Sequence, residues 1–198
     1  VVRPRDTRID DAILAATIDL LSKVGYQQLT MGAVAAEAGV HRPAVYRRWP
    51  SKRHLVVDAV ARTMGVTPTP DTGDLRRDLV DGMTTLVRSL SGTALGRALP
   101  ALIGDLASDP ELAAEFRRRI FDARRATTAA TLRSAMEHGE VRSDIDLDFV
   151  LDALASPLYY RVFFGHLPLT ERVAEQAVDG VLTGIRREPG RPRTALEK

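Results

Sequence analysis

The sequence contains no cysteine. That excludes a disulfide framework, a thiolate metal site and a cysteine nucleophile. It has no apolar run of the roughly eighteen residues that a membrane-spanning helix needs, so no membrane association is expected. The start of the chain carries Arg3, Arg5, Asp6 and Arg8 without an apolar segment, so no secretory signal is expected and a cytoplasmic location is the simplest reading. No stretch alternates apolar and polar residues as a half-buried strand does. The four histidines, His41, His54, His138 and His166, share no ligand spacing, and no nucleophile elbow or phosphate-binding glycine loop occurs. No cofactor, metal or catalytic residue is therefore expected.

What is present is an ordinary globular composition, with 44% apolar and 27% charged residues in 198. The net charge of +2 conceals an uneven distribution. Residues Val1 to Met64 hold ten basic and six acidic side chains, about +4, which leaves about −2 for the remainder. Between Val40 and Val57 stand Arg42, Arg47, Arg48, Lys52 and Arg53 with no acid. A local basic patch on a near-neutral protein suits phosphate binding, although solvated basic faces are also common.

Apolar residues recur at helical spacing nearly throughout, so the chain is expected to be all-α. A first helix should span about Asp10 to Val24, stopped by Gly25. Thr30 is a plausible cap for a short helix ending at Ala38 and closed by Gly39. A third helix should cover Arg42 to Trp49, broken by Pro50, and Ser51 should cap a fourth. The turn-rich stretch from Gly65 to Gly73 then ends the first unit. Longer helices are expected over about 75–90, 94–106, 110–138, 146–164 and 170–187, with a frayed tail after Glu188.

Two short helices joined by a glycine turn, the second rich in arginine, describe a helix-turn-helix. Ala35, Ala36 and Gly39 permit close approach, and Val40 and Val45 anchor the pair. The second helix would lie in the major groove and present His41, Arg42, Pro43, Ala44, Tyr46, Arg47 and Arg48. Helix N-termini at Thr30 and at Ser51-Lys52 add backbone N–H groups for phosphate.

The run from Thr30 to Leu55, TMGAVAAEAGVHRPAVYRRWPSKRHL, resembles the signature of the TetR family of transcriptional regulators. Thr30, Ala38-Gly39-Val40, Tyr46 and Trp49-Pro50-Ser51-Lys52 all match it. The resemblance covers about residues 9–60, and the rest agrees in architecture. It implies an N-terminal three-helix DNA-binding domain over 1–64, followed by a larger helical effector-binding and dimerisation domain over 65–198. It also implies phosphate contacts from Thr30, Tyr46 and Lys52, and base or phosphate contacts from Arg42, Pro43 and Arg47. Two positions depart from the pattern. His41 stands where a Ser or Thr usually caps the recognition helix, and Trp49 replaces a more usual Phe. Trp49 is read as a core plug, Tyr46 as a DNA contact or a packing residue, and Arg48 and Arg53 as contacts or solvated charges. Arg117 to Arg119 with Arg124 and Arg125 read as a solvated or salt-bridged surface.

In such a protein the last two helices pair with those of a second copy. Their stripes, Val150, Leu151, Leu154 and Leu158, then Val173, Ala177, Val181 and Ile185, suit either that role or the protomer's own core. The resemblance further implies a small, largely apolar effector in a cavity lined by Met83, Leu86, Leu102, Phe116, Phe121, Tyr159, Tyr160 and Phe163. The expected function is repression at a near-palindromic double-stranded DNA operator, relieved by that effector. A regulator controlled by a protein partner, an all-α enzyme and a nucleoid protein are the competing readings.

Overall fold

The computed structural model describes residues 7–65 and 67–187. The expected frayed tail lies outside the described residues. Helix α1 (Thr7–Gln28) buries Ile13, Leu14, Thr17 and Leu21 on one face, and the Thr17 hydroxyl donates to the Ile13 carbonyl at 2.7 Å. Gly25 bends this helix rather than ending it. Its φ of 74° and ψ of 173° are open to glycine, and one further turn carries Tyr26 into cover.

Helices α2 (Met31–Glu37), α3 (Arg42–Tyr46) and α4 (Lys52–Met64) complete the first unit. The Thr30 hydroxyl caps α2, accepting from the Ala33 N–H at 3.1 Å, and Ser51 caps α4. Helix α3 ends three residues sooner than the spacing predicts. Trp49 precedes a proline, which disfavours helical backbone there. Its indole instead turns inward, 3% exposed, and donates to the Asp58 carboxylate on α4 at 2.6 Å.

Helix α5 (Leu75–Leu90) buries the expected stripe of Leu75, Leu79, Met83, Leu86 and Leu90. The buried Asp78 carboxylate accepts from the N–H and hydroxyl of Thr72, at 2.7 and 2.8 Å, and so pins the connector to the helix. Helix α6 (Ala94–Ser108) starts at a tight corner. A Cβ on Gly96 would stand 1.9 Å from the Leu90 carbonyl oxygen, so only a hydrogen fits.

The single long helix expected from Pro110 is interrupted. Helix α7 (Pro110–Phe116) passes through one π-helical turn (Arg117–Phe121) into α8 (Asp122–Glu137). The Asp122 N–H reaches back five residues to the Arg117 carbonyl. The extra residue in the turn rotates everything after it relative to a regular helix. Helices α9 (Leu147–Phe164) and α10 (Glu171–Ile185) follow. A short antiparallel bridge between Val141 and Arg186 fastens the end of α10 to the loop after α8.

Helix α1 packs along α6 and α4, α10 lies against α5 and α9, and the π turn rests on α4. One apolar core runs through both halves of the chain, from Ile13, Val45 and Leu55 to Leu79, Leu132, Leu154 and Val178. Both stripes named for a dimer interface are used inside the protomer. Val150, Leu151, Leu154, Leu158, Val173, Ala177 and Ile185 are buried, and Val181 is half-buried. The most exposed large apolar side chains of α9 and the loop after it are instead Phe149, Tyr160, Phe164 and Leu167, at 51–69%. Among the described residues no helix is long and apolar enough to cross a membrane.

Candidate nucleic-acid interface and adjoining cavities

The fate of each basic side chain in the first unit separates two groups. Arg48 forms an ion pair with Asp10, and both side chains are nearly covered at 9% and 13% exposure. Arg48 also donates to the Ala44 carbonyl at 3.1 Å. Arg53 pairs with Glu111 and, at 3.8 Å, with Asp109, which joins α4 to the start of α7. Arg62 pairs with Asp11 at 2.6 Å. These three cations are neutralised within the protein.

Arg42 and Arg47 are different: both are exposed, and neither forms an ion pair among the described residues. They share α3 and its flank with Tyr46, which is 51% exposed, and with the exposed His41 and Pro43. Ala44 is half-buried beneath them, while Val45 faces inward and is fully buried. His41 stands at the N-cap of α3 without a capping hydrogen bond, as its replacement of a hydroxyl residue suggests. Gly32 lets the Arg42 guanidinium lie against the first turn of α2, since a Cβ there would come within 2.4 Å of Nη2. The exposed Thr30 begins that same turn. Thr30, Arg42, Tyr46 and Arg47 thus form the outer side of the α2–α3 pair.

Lys52 is occupied elsewhere. Its ammonium donates to the Tyr26 carbonyl at 2.8 Å and the Gln27 carbonyl at 3.3 Å, and lies 4.2 Å from the centre of the Tyr26 ring. It closes the carbonyl end of α1, where the bend at Gly25 has left these acceptors without helical partners. Burial raises the Tyr26 pKa above its ordinary value, with Asp109 adding to the effect.

Behind this unit two cavities share a wall at the π turn and α9, the first extending between α5 and α8 and the second toward α6 and α7. The first, about 210 Å³, is bordered by Met83, Leu86, Phe121, Leu151 and Tyr159, with Thr67, Thr69, Thr127, Thr128, Arg124 and Arg125 at its polar end. The second, about 370 Å³, is bordered by Met64, Leu99, Ile103, Phe116, Tyr160 and Phe163. Phe121, Ser156 and Tyr159 border both. Seven of the eight residues named from the sequence lie on these walls. Leu102 does not; it is fully buried in the core and borders neither cavity.

Sequence reasoning missed Arg124. The residues around it pair outward as expected: Arg118 with Glu115, Arg119 with Asp58, and Arg125 with Asp148 and Asp152. Arg124 instead points into the first cavity, and its Nη1 donates to the Gly65 and Met64 carbonyls at 3.0 and 3.3 Å. Burial lowers its pKa from the ordinary value, with nearby Tyr159 opposing. Burial likewise raises the pKa of the Tyr159 hydroxyl, and Arg124 partly offsets it. A regular helix over 110–138 would hide this arrangement; the π turn creates it. The one sequence signal was the polar spacing Arg124, Thr128, Thr131 on a segment bounded by core residues.

The cavities are tied to the reading unit at two points. Arg124 holds the carbonyls that end α4, and Arg119 on the π turn pairs with Asp58, which also accepts from Trp49.

A short exposed helix whose arginines form no ion pair among the described residues, braced by a capped helix and set on a helical body with a cavity, defines a helix-turn-helix DNA-binding regulator. Comparison with known proteins gives the family. Residues 13–59 match the model of bacterial regulatory proteins of the tetR family, and residues 69–181 match the tetracyclin repressor-like C-terminal domain. The HTH-type transcriptional regulator YdeS of Bacillus subtilis (strain 168) is 30% identical over 184 residues, 92% of each chain. The DNA-binding transcriptional repressor TetR of Mycobacteroides abscessus is 33% identical over 174 residues, 86% of this chain and 90% of that one. The crystal structure of the TetR family transcription regulator SCO0332 superimposes with a TM-score of 0.68 at 33% identity, covering 90% of this chain and 99% of the other. The chain belongs to the TetR family, and it is a DNA-binding transcriptional regulator.

Proposed function

We propose that the protein is a cytoplasmic repressor that binds a near-palindromic operator as a homodimer and leaves it when a small molecule fills the cavities behind α4. Residues 1–64 act as the reading unit and 65–198 as the effector and dimer unit. The observation that carries the DNA assignment is the contrast among the arginines. Arg48, Arg53 and Arg62 are neutralised internally, whereas Arg42 and Arg47, exposed beside Tyr46 on α3 and its flank, form no ion pair among the described residues. Phosphate oxygens and guanine edges are the partners that such a set suits. Thr30, His41, Pro43 and Ala44 complete the contact surface. Lys52 acts from behind by fixing the end of α1.

The outward face of α9, bearing Phe149, Tyr160 and Phe164, supports dimerisation, since exposed aromatics at helical spacing gain from being covered. Beside it, Gly180 and Gly184 on α10 leave open space for close approach of a neighbouring helix. A two-fold dimer presents two α3 helices to one side of DNA, which requires two inverted half-sites. An effector that binds the DNA-incompetent dimer more tightly shifts the population toward it. Helix α4 carries the change, because the Arg124 and Arg119 contacts both end on it.

The test is fluorescence anisotropy of the protein on DNA flanking its own gene, across a salt series, beside scrambled DNA. The expected result is tight binding to one inverted repeat with affinity falling steeply as salt rises. Equal, weak binding to both DNAs under all conditions refutes the operator assignment.

A further inference from the structure

Arg124 is the anomaly of the cavity system. Arg118, Arg119 and Arg125 are each paired with carboxylates, but Arg124, on a cavity wall with Phe121, Tyr159, Leu151 and the paired Arg125, has none among the described residues. Among the described residues no carboxylate pairs with it, and its two acceptors are both neutral carbonyls on Nη1. Nε and Nη2 have no hydrogen-bond partner there, and both keep some accessible surface. The acid on the same wall, Asp152, is paired with Arg125. A guanidinium stays charged in proteins, so this end of the cavity carries an unneutralised positive charge in poorly hydrated surroundings.

The surroundings grade from polar to apolar. Thr69, Thr127 and Thr128 stand beside Arg124 at the polar end, their hydroxyls linked at 3.0 and 3.5 Å. Past Phe121 and Tyr159 the second cavity is walled mainly by Leu99, Ile103, Phe116 and Phe163. Together they match a molecule with one anionic end and an apolar body.

We infer that the effector is an amphipathic anion, a carboxylate or similar oxyanion on an apolar body, whose head group binds Arg124. This rests on the reading that the cavities admit an effector at all. A carboxylate accepts two parallel N–H bonds from a guanidinium, and here Nε and Nη2 are the side of the fork without a partner. Capture of the head group by Nε and Nη2 draws the guanidinium toward the cavity and lengthens the Nη1 bonds to the Met64 and Gly65 carbonyls. The grip on the last turn of α4 is thereby loosened, which gives the effector a differential interaction with the two states.

The experiment uses two probes of equal chain length, octanoate and octan-1-ol, titrated calorimetrically into the full-length protein and into Arg124→Met and Arg124→Lys. Octanoate affinity is expected to fall about ten-fold or more in Arg124→Met, as loss of a charge-assisted pair requires, and to be partly kept in Arg124→Lys. Octanol affinity is expected to change less than about three-fold, because it uses only the apolar wall. Equal loss of both probes, or of neither, overturns the anion assignment and leaves the cavity reading standing. Failure of both probes to bind the unsubstituted protein overturns both. Circular dichroism confirms that each variant is folded, and Arg124→Lys preserves the comparison should Arg124→Met not fold.

Discussion

Arg47 and Arg48 are neighbours in sequence, yet the structure gives them opposite surroundings, and replacing each with alanine tests the separate duties proposed for them. Arg48 and Asp10 keep only 9% and 13% of their side-chain surface. Removing one partner of a buried ion pair costs about 3–5 kcal/mol where the other charge is left uncompensated. Asp10 has a further interaction besides Arg48, so the lower end, about 3 kcal/mol, is the appropriate figure. In a protein of this size each kcal/mol moves the melting temperature by roughly 2–4 °C, which makes the expected drop for Arg48→Ala about 6–12 °C. Arg47→Ala removes an exposed, unpaired side chain and is expected to leave the melting temperature within about 2 °C. On the operator the order reverses. Arg47→Ala is expected to lose about 1–3 kcal/mol of binding, with a salt dependence shallower by about one ion if the contact is to phosphate. Arg48→Ala, assayed at a temperature where it is folded, is expected to bind within a few-fold of the parent. Scanning calorimetry and anisotropy give the two readouts. An Arg48 variant that melts like the parent but loses DNA as the Arg47 variant does would refute the division of roles.

Gly96→Ala is expected to cost about 2 kcal/mol, because its Cβ meets backbone and the α5–α6 corner must open. Gly104→Ala on the same helix meets nothing and is expected to stabilise by a few tenths to about 1 kcal/mol; thermal melts of the pair test both. Replacing Tyr160 and Phe164 with glutamate is expected to convert a dimer into a 21.7 kDa monomer by light scattering, with operator affinity lost in parallel. Burial holds the Tyr159 pKa above that of the unfolded chain, with Arg124 opposing in part. Its contribution is therefore complete below the unfolded tyrosine pKa of about 10 and is lost as pH rises through the folded value. The melting temperature is expected to fall less steeply above about pH 10 in Tyr159→Phe than in the parent, and identical slopes would contradict this.

The reading unit was legible because short-range chemistry writes it. Thr30 and Ser51 cap where their hydroxyls predict, and glycine punctuates at Gly39. What was not legible depended on distance. Nothing in Arg117 to Phe121 marks an inserted residue, so the rotation that brings Arg124 inward could not be read from helical spacing. Apolar periodicity shows that a face of α9 is covered but not by what. Both of its sides carry large apolar groups, and the side chosen from the pattern belongs to the protomer's own core. Lys52 had the residue type of a phosphate ligand, but its acceptors are carbonyls exposed by a bend 27 residues earlier at Gly25.

The packing of α1 along α6 has a consequence for how such proteins diversify. A reading head attached by a loop can be exchanged by recombination at the loop. Here the seam that matters is a side-chain surface, split between residues near the start of the chain and residues about eighty positions later. A chimera joined at Gly65 inherits half of that surface from each parent, and its two halves meet as strangers. If the outward residues of α3 read the operator as proposed, new preferences are reached more readily by changing those few residues, which leave the seam untouched, than by importing a foreign head.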